Sequence, residues 1–345
     1  MQIANRSIGP EHKPFIVAEV AQSHDGSLGT AFAFIDAARE CGADAIKFQT
    51  HIASEESTAA EPWRVRFSRQ DATRYDYWRR MEFTQAQWGE LKAHADARGI
   101  IFLSPPFSIK ACEWLAGFGM AAWKLASGEV HNEQLVEWIA ARGEPMIVSS
   151  GLSRQAETAA LVQRLRARSL DLAVLHCTTR YPTPPEEVGM NIFESFVRDY
   201  DGLPVGLSDH SGTTHPGIVA SYLGASVIEV HLTLHSKMFG PDVSSSLTPD
   251  QLSDLVKGSE FAWRMRMHQV DKDNQLGVLV KERSIFGRSL VAARDIAEGE
   301  VLDEAMVAFK KPGGGLVYQD LHKLIGRKAR RALPRDHRFG EEDVR

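Results

Sequence analysis

Short runs of apolar and β-branched residues recur along the first two thirds of the chain. Between them lie longer stretches in which apolar residues fall every three or four positions. Eight such runs are present: FIVAEVA from Phe15, DAIKFQT from Asp44, IIFLSPP from Ile100, AAWKLAS from Ala121, PMIVSSG from Pro145, LAVLHCT from Leu172, LPVGLSD from Leu203 and SVIEVHLT from Ser226. The stretches between them read as helices with end signals, as in TAFAFIDAARECG closing at Gly42 and TQAQWGELKAHADARG opening at Thr84. Strands that are apolar on both faces, each followed by a helix, predict a parallel sheet covered on both sides. Eight units over about 250 residues predict an α/β fold, the (β/α)8 barrel. One long irregular insertion, HIASEESTAAEPWRVRFSRQDATRYDYWRR after the second strand, exceeds ordinary loop lengths and predicts a lid or a wall of a site.

After about residue 283 the pattern changes. AARDIAEGEVLDEAMV and KARRALPRDHRFGEEDV align as a weak repeat, which predicts a small β-rich module. The expected division is a barrel over 1–267, a polar and irregular linker over 268–284, and the module over 285–345. Between the repeat halves, FKKPGGGLV joins Lys310 and Lys311 to Gly313, Gly314 and Gly315, a loop predicted to reach outward.

Composition narrows the partners. With 45 acids against 40 bases the net charge is −5, so no bulk positive field recommends nucleic acid or an anionic membrane. The opening MQIANRSIGPEHK has no apolar signal core, and nowhere do eighteen apolar residues run together. Cys41, Cys112 and Cys177 are three, an odd and widely spaced set, which points to a reducing compartment and a cytoplasmic location.

Chemistry in a barrel of this kind gathers at the C-terminal mouth, where the strand ends converge. Here those ends are polar: Glu19; Lys47 and Gln49; Ser104; Lys124 and Ser127, then Glu129; Ser149; Thr179 and Tyr181; Ser208, Asp209 and His210; Glu229 and His231. Lysine is rarely buried without a partner. Lys47 and Lys124, each in an apolar strand, are therefore expected to meet an anion, with serine hydroxyls suited to phosphate or carboxylate oxygens. The alternative is a salt bridge to Glu19 or Glu129, and both can hold at once. His210 and His231 close neighbouring strands, so their imidazoles are expected a few Å apart, where a divalent metal fits.

The segments IVAEVAQSHDGS, ADAIKFQTH, KLASGEVHN, IVSSGLS, LHCTTRYPTP, GLSDHSGT, VIEVHLT and GPDVSSSLTPDQL, in this order, resemble the sialic acid synthases, the bacterial N-acetylneuraminate synthase group of nonulosonate synthases. The tail resembles the antifreeze-like or SAF module of those enzymes. The resemblance implies condensation of phosphoenolpyruvate with an open-chain N-acetyl hexosamine, typically N-acetylmannosamine, to a nine-carbon keto acid and phosphate. It implies that Lys47, Ser104, Lys124, Ser127, Ser149, Thr179 and Ser208 hold phosphoenolpyruvate. It assigns Gln49, Tyr181 and Asp242 to the sugar, together with Lys311 from the partner of a homodimer with exchanged tails. Glu19 would face the positive charge that develops at C2, Glu129 would help position water, and His210 with His231 would hold Mn2+ or Mg2+.

Family members often carry Asn at Thr179, Thr at Pro105 and Arg at Lys311, and the last departure bears on the sugar because lysine cannot make a bidentate guanidinium contact. Three rivals remain: a sister synthase using the precursor of legionaminic or pseudaminic acid, a Schiff-base aldolase with Lys124 as nucleophile, and a non-catalytic ice-binding or scaffold protein built on the tail.

Overall fold

The computed structural model describes residues 1–345 and divides into two compact units, Met1–His268 and Gln269–Arg345. In the first unit every predicted run contains a strand: Phe15–Glu19, Ala45–Lys47, Ile101–Leu103, Trp123–Leu125, Met146–Ser149, Leu172–Cys177, Val205–Asp209 and Val227–Leu232. They pair in parallel with their sequence neighbours, and the eighth pairs with the first, so the sheet curls into a barrel whose one unpaired step lies between strands three and four. No helix is long and apolar enough to cross a membrane.

Strand alternation explains both the core and the site. One parity points inward, and at the N-terminal end of the barrel it is apolar: Phe15, Val17, Ala45, Leu103, Ala122, Ile147, Ala173, Leu175 and Val227 form one buried cluster. The same parity continued toward the C-terminal end gives Glu19, Lys47, Lys124, Ser149, Ser208, Glu229 and His231. The opposite parity, including Ile16, Ile46, Phe102, Leu207 and Ile228, packs under the surrounding helices. Gly206 sits on the inward face of strand seven, where an added Cβ would lie 2.4 Å from both Leu175 Cδ2 and the Val227 carbonyl oxygen.

The helix ends follow the sequence signals. Thr84 caps Gln85–Arg98 in a capping box with Gln87, and Gly99 closes it with φ +69°. Gly42, at φ +85°, stands one residue past the cap of Leu28–Glu40. A feature without a periodic signal is the hairpin of Gln2–Ile3 with Arg6–Ser7, whose flanking Ile3 and Ile8 join the inner cluster at the N-terminal end of the barrel. The long insertion holds two helices, Ala53–Glu56 and Arg74–Met81. It is pinned by Arg80, which pairs with Asp71 at 2.8 Å and Asp25 at 2.6 Å, and it stands as a wall of the mouth.

In the second unit, Ser289–Ala292 and Val307–Lys310 pair antiparallel over a core that includes Leu290, Ile296, Leu302, Leu324 and Phe339. The stretch expected to be an irregular linker is instead largely helical, with Lys272–Val278 and Val280–Phe286. Asp271 caps the first of these by accepting from the amides of Asp273 and Asn274. Their residues are exposed throughout, Val278 and Phe286 included, which is why no amphipathic period marks them in the sequence. The glycine loop packs on its own unit: Gly313 N–H donates to the Ser284 carbonyl at 2.7 Å, and Lys310 Nζ pairs with Asp336 at 2.5 Å.

Candidate active site

A cleft of about 810 Å³ opens at the C-terminal end of the barrel strands. Parallel register brings its floor together: Glu19 stands level with Lys47 on one side and His231 on the other, and Ser208 stands level with Glu229. Glu229 is the hub. Its Oε1 accepts from Lys124 Nζ at 3.0 Å and from Ser208 Oγ at 3.0 Å, and lies 3.4 Å from Lys47 Nζ. Lys47 also pairs with Glu19 at 2.6 Å, and Gln49 Nε2 donates to the other oxygen of Glu19 at 2.7 Å. Both lysines thus have carboxylate partners even before a ligand arrives, Glu19 for one and Glu229 for both; Glu129 pairs with neither.

The two glutamates are set apart in proton affinity. Burial pushes Glu229 up, but the Lys124 and Lys47 ammoniums outweigh it and hold the carboxyl down at about 2. Burial raises Glu19 above its ordinary range, with Lys47 offsetting only part of the effect. Burial also lowers Lys124 despite Glu229, whereas at Lys47 two carboxylates overcome the burial and raise it.

Beside this floor lies a small polar hollow. The Gly151 N–H donates to Ser127 Oγ at 3.0 Å, the buried Ser149 hydroxyl has no partner, and Thr179 lines the same face. An added Cβ at Gly151 would come within 2.4 Å of Thr179 Oγ1, 2.7 Å of Cys177 Sγ and 2.8 Å of Ser127 Oγ, so the hollow exists because residue 151 has no side chain. Ser104 does not join it. Leu103 takes the inward parity of strand three, and Ser104 therefore turns outward, where its hydroxyl is fully buried 2.7 Å from Thr50 Oγ1.

His210 and His231 face each other with ring centroids 5.2 Å apart. His210 Nδ1 lies 2.8 Å from the Thr178 carbonyl, which fixes a proton there and leaves Nε2 as the lone-pair donor, 3.0 Å from the Tyr181 hydroxyl. His231 Nδ1 is buried without a partner, and burial lowers the ring's proton affinity to about 3, so it is neutral. The neutral His231 with its orphaned nitrogen, beside His210 Nε2, fits a divalent cation that takes its remaining ligands from water or substrate. No group of three His, Cys, Asp or Glu side chains is disposed to hold a metal.

Toward the mouth, Arg64 from the insertion lies over the Tyr181 ring at 4.4 Å and pairs with Asp242 at 2.7 Å. Asn132 Nδ2 donates to Glu129 Oε2 at 2.8 Å, and burial raises Glu129. Lys311 belongs to the second unit, with Nζ 5.6 Å from the Phe286 ring. Glu229 stands among the polar strand ends in the sequence but carried no assigned role there, and Arg64 and His51 were not singled out. Glu229 was within reach, since it stands two residues before His231 and so shares its inward face. Arg64 and His51 belong to or border the irregular insertion, where no period assigns a face.

Known proteins resemble this chain along nearly its whole length. The model of the NeuB family matches residues 34–270, and that of the SAF domain matches 287–344. The chain is 32% identical to the N,N'-diacetyllegionaminic acid synthase of Campylobacter jejuni, over 95% of this chain and 99% of that protein. It is 30% identical to the N-acetylneuraminate-9-phosphate synthase of Homo sapiens, over 98% and 95%. Among solved structures, the N-acetylneuraminic acid synthetase of Leptospira borgpetersenii superposes with a TM-score of 0.72 at 26% identity, covering 82% of this chain and 96% of that one.

Proposed function

Because the chain belongs to the NeuB family and carries a SAF domain, and so is a nonulosonate synthase, we propose that it condenses phosphoenolpyruvate with an open-chain N-acetyl hexosamine, releasing phosphate. The observation that carries this reading is the convergence of Lys47 and Lys124 on Glu229, beside Glu19 and the histidine pair. Lys47, Lys124, Ser127, Ser149, Thr179 and Ser208 receive the carboxylate and phosphate of phosphoenolpyruvate; Ser104, turned away from the cleft, leaves that set. Gln49, Tyr181 and Asp242 take sugar hydroxyls, with Arg64 beside them. A divalent cation, Mn2+ or Mg2+, held by His210 and His231 would supply Lewis-acid polarisation of the sugar aldehyde.

C3 of phosphoenolpyruvate bonds to the aldehyde carbon, and positive charge develops at C2. Glu19, as carboxylate, faces that charge. Glu129, oriented by Asn132, holds the water that adds to C2, and the resulting tetrahedral centre expels phosphate. N-acetylmannosamine is the first expected sugar; the precursors of legionaminic or pseudaminic acid are the second reading, since relatives of nearly equal identity bear different product names. Three free cysteines support a cytoplasmic setting. The exposed apolar positions on the tail helices, Val278, Val280, Ile285 and Phe286, support a partner surface and a homodimer in which Lys311 serves the other subunit's mouth.

The test is phosphate release from phosphoenolpyruvate across a panel of 2-acetamido and 2,4-diacetamido hexoses. Release should require an aldose and be abolished by chelation, then restored by Mn2+ or Mg2+. Release with no sugar on the panel would refute the reading, as would irreversible trapping by borohydride with pyruvate, which would move the chemistry to a Lys124 Schiff base.

A further inference from the structure

The amide of Gln49 has only one workable orientation. Its Nε2 donates to Glu19 Oε1 at 2.7 Å, while its Oε1 lies 3.1 Å from His51 Nε2 and accepts from Gln22 Nε2 at 3.3 Å. Turned over, the amide would set its carbonyl oxygen against the Glu19 carboxylate. In the observed orientation Oε1 offers only lone pairs, so His51 Nε2 must carry a proton. A second proton lies in the contact between His51 Nδ1 and Glu56 Oε1, 2.6 Å apart, carried either by the ring or by the carboxyl. The ring is buried between Trp78 and Phe107, with centroids 4.2 Å away on each face and interplanar angles of 27° and 15°.

We propose that His51, oriented by Glu56 and clamped by the two aromatic rings, is a positioning residue for Glu19: through Gln49 it occupies one carboxylate oxygen and leaves the other for Lys47 and the reacting carbon. This rests on the assignment of Glu19 to C2 in the reaction above. The charged or titratable groups that face the ring are Glu56 in direct contact, Glu129 and His24 nearby, and Glu19 beyond Gln49. Trp78 and Phe107 bring no charge, and Trp78 is itself anchored by donating Nε1–H to Glu61 at 2.9 Å.

Three variants of the full chain test the inference. His51→Phe keeps the aromatic stack and removes the donor, so kcat should fall about 10- to 100-fold, the scale on which a misplaced reacting group costs, with little change in the KM for phosphoenolpyruvate. Glu56→Gln should lower kcat in the same direction. His51→Gln restores an N–H toward Gln49 and should recover most of the rate. Unchanged kcat in a folded His51→Phe chain would reduce His51 to a spacer and overturn the proposal. A second readout needs no turnover: 15N NMR of the imidazoles, with the His51 signals identified by their absence from His51→Gln, should show Nε2 protonated in the wild-type protein. An unprotonated Nε2 overturns the proposal. Failure of the wild-type protein to release phosphate with any hexosamine would instead count against the reaction, and the ring spectrum would still decide the hydrogen bond.

Discussion

At the residue scale, the floor of the cleft is a charge-balanced group that separates two chemically identical side chains. Glu229 stays ionised because two ammoniums converge on it, whereas Glu19, more deeply governed by burial, is pushed above its ordinary range. The sign of the pH dependence follows. If Glu19 must be a carboxylate to face positive charge at C2, activity is present above its raised pKa and lost as pH falls through it, while Glu229, held at about 2, adds nothing to that limb. The acid limb of kcat/KM should therefore lie above the unperturbed glutamate value of about 4.3. A limb at or below that value would show that Glu19 is not the titrating group. Glu19→Gln, which keeps shape and loses charge, should depress kcat with little change in either KM; normal turnover would remove Glu19 from the mechanism.

At the scale of the element, the parity of each barrel strand decides what the cleft contains. Inward positions change from apolar to polar along the same strand, so one alternation builds the lower core and the site above it. Gly206 shows how tight this is, since an added Cβ would meet backbone as well as side chain. Gly206→Ala should destabilise the first unit by at least the roughly 1–3 kcal/mol typical of overpacking, read by chemical denaturation; an unchanged midpoint would mean that strands six to eight yield more easily than their packing indicates. All eight strands were legible in the sequence because each is a short, mostly apolar run with polar residues toward its end, and so were Glu19, Lys47, Lys124, His210 and His231. Parity, applied strictly, would also have excluded Ser104, which follows the inward Leu103, and promoted Glu229, which precedes His231 by two. The hairpin at Gln2–Ser7 and the helices over Lys272–Phe286 were not legible, since strands of two residues have no period and exposed helices have no buried face. Arg64 and His51 were hidden for a related reason: side chains beyond the strand ends find their partners through tertiary contacts alone.

At the scale of the molecule, the chain combines a barrel that bears the complete floor of the cleft with a second unit that bears Lys311. If the tail serves a partner's mouth, truncation after about residue 283 should leave a folded barrel that binds metal and turns over poorly. Mixing full-length Lys311→Ala with full-length Glu19→Gln should then restore part of the activity, because one composite mouth in each mixed dimer is intact. No recovery while subunits demonstrably exchange would show that each chain uses its own tail or none. In the proposed reaction water adds to C2 of phosphoenolpyruvate after carbon–carbon bond formation, and one label reads this step directly. With 18O in the oxygen that bridges C2 and phosphorus, turnover with an accepted hexosamine should place the label in inorganic phosphate, since the C2–O bond breaks when the tetrahedral centre collapses. Phosphate released without the label would mean cleavage at phosphorus, and the account of Glu19 and Glu129 around C2 would be wrong.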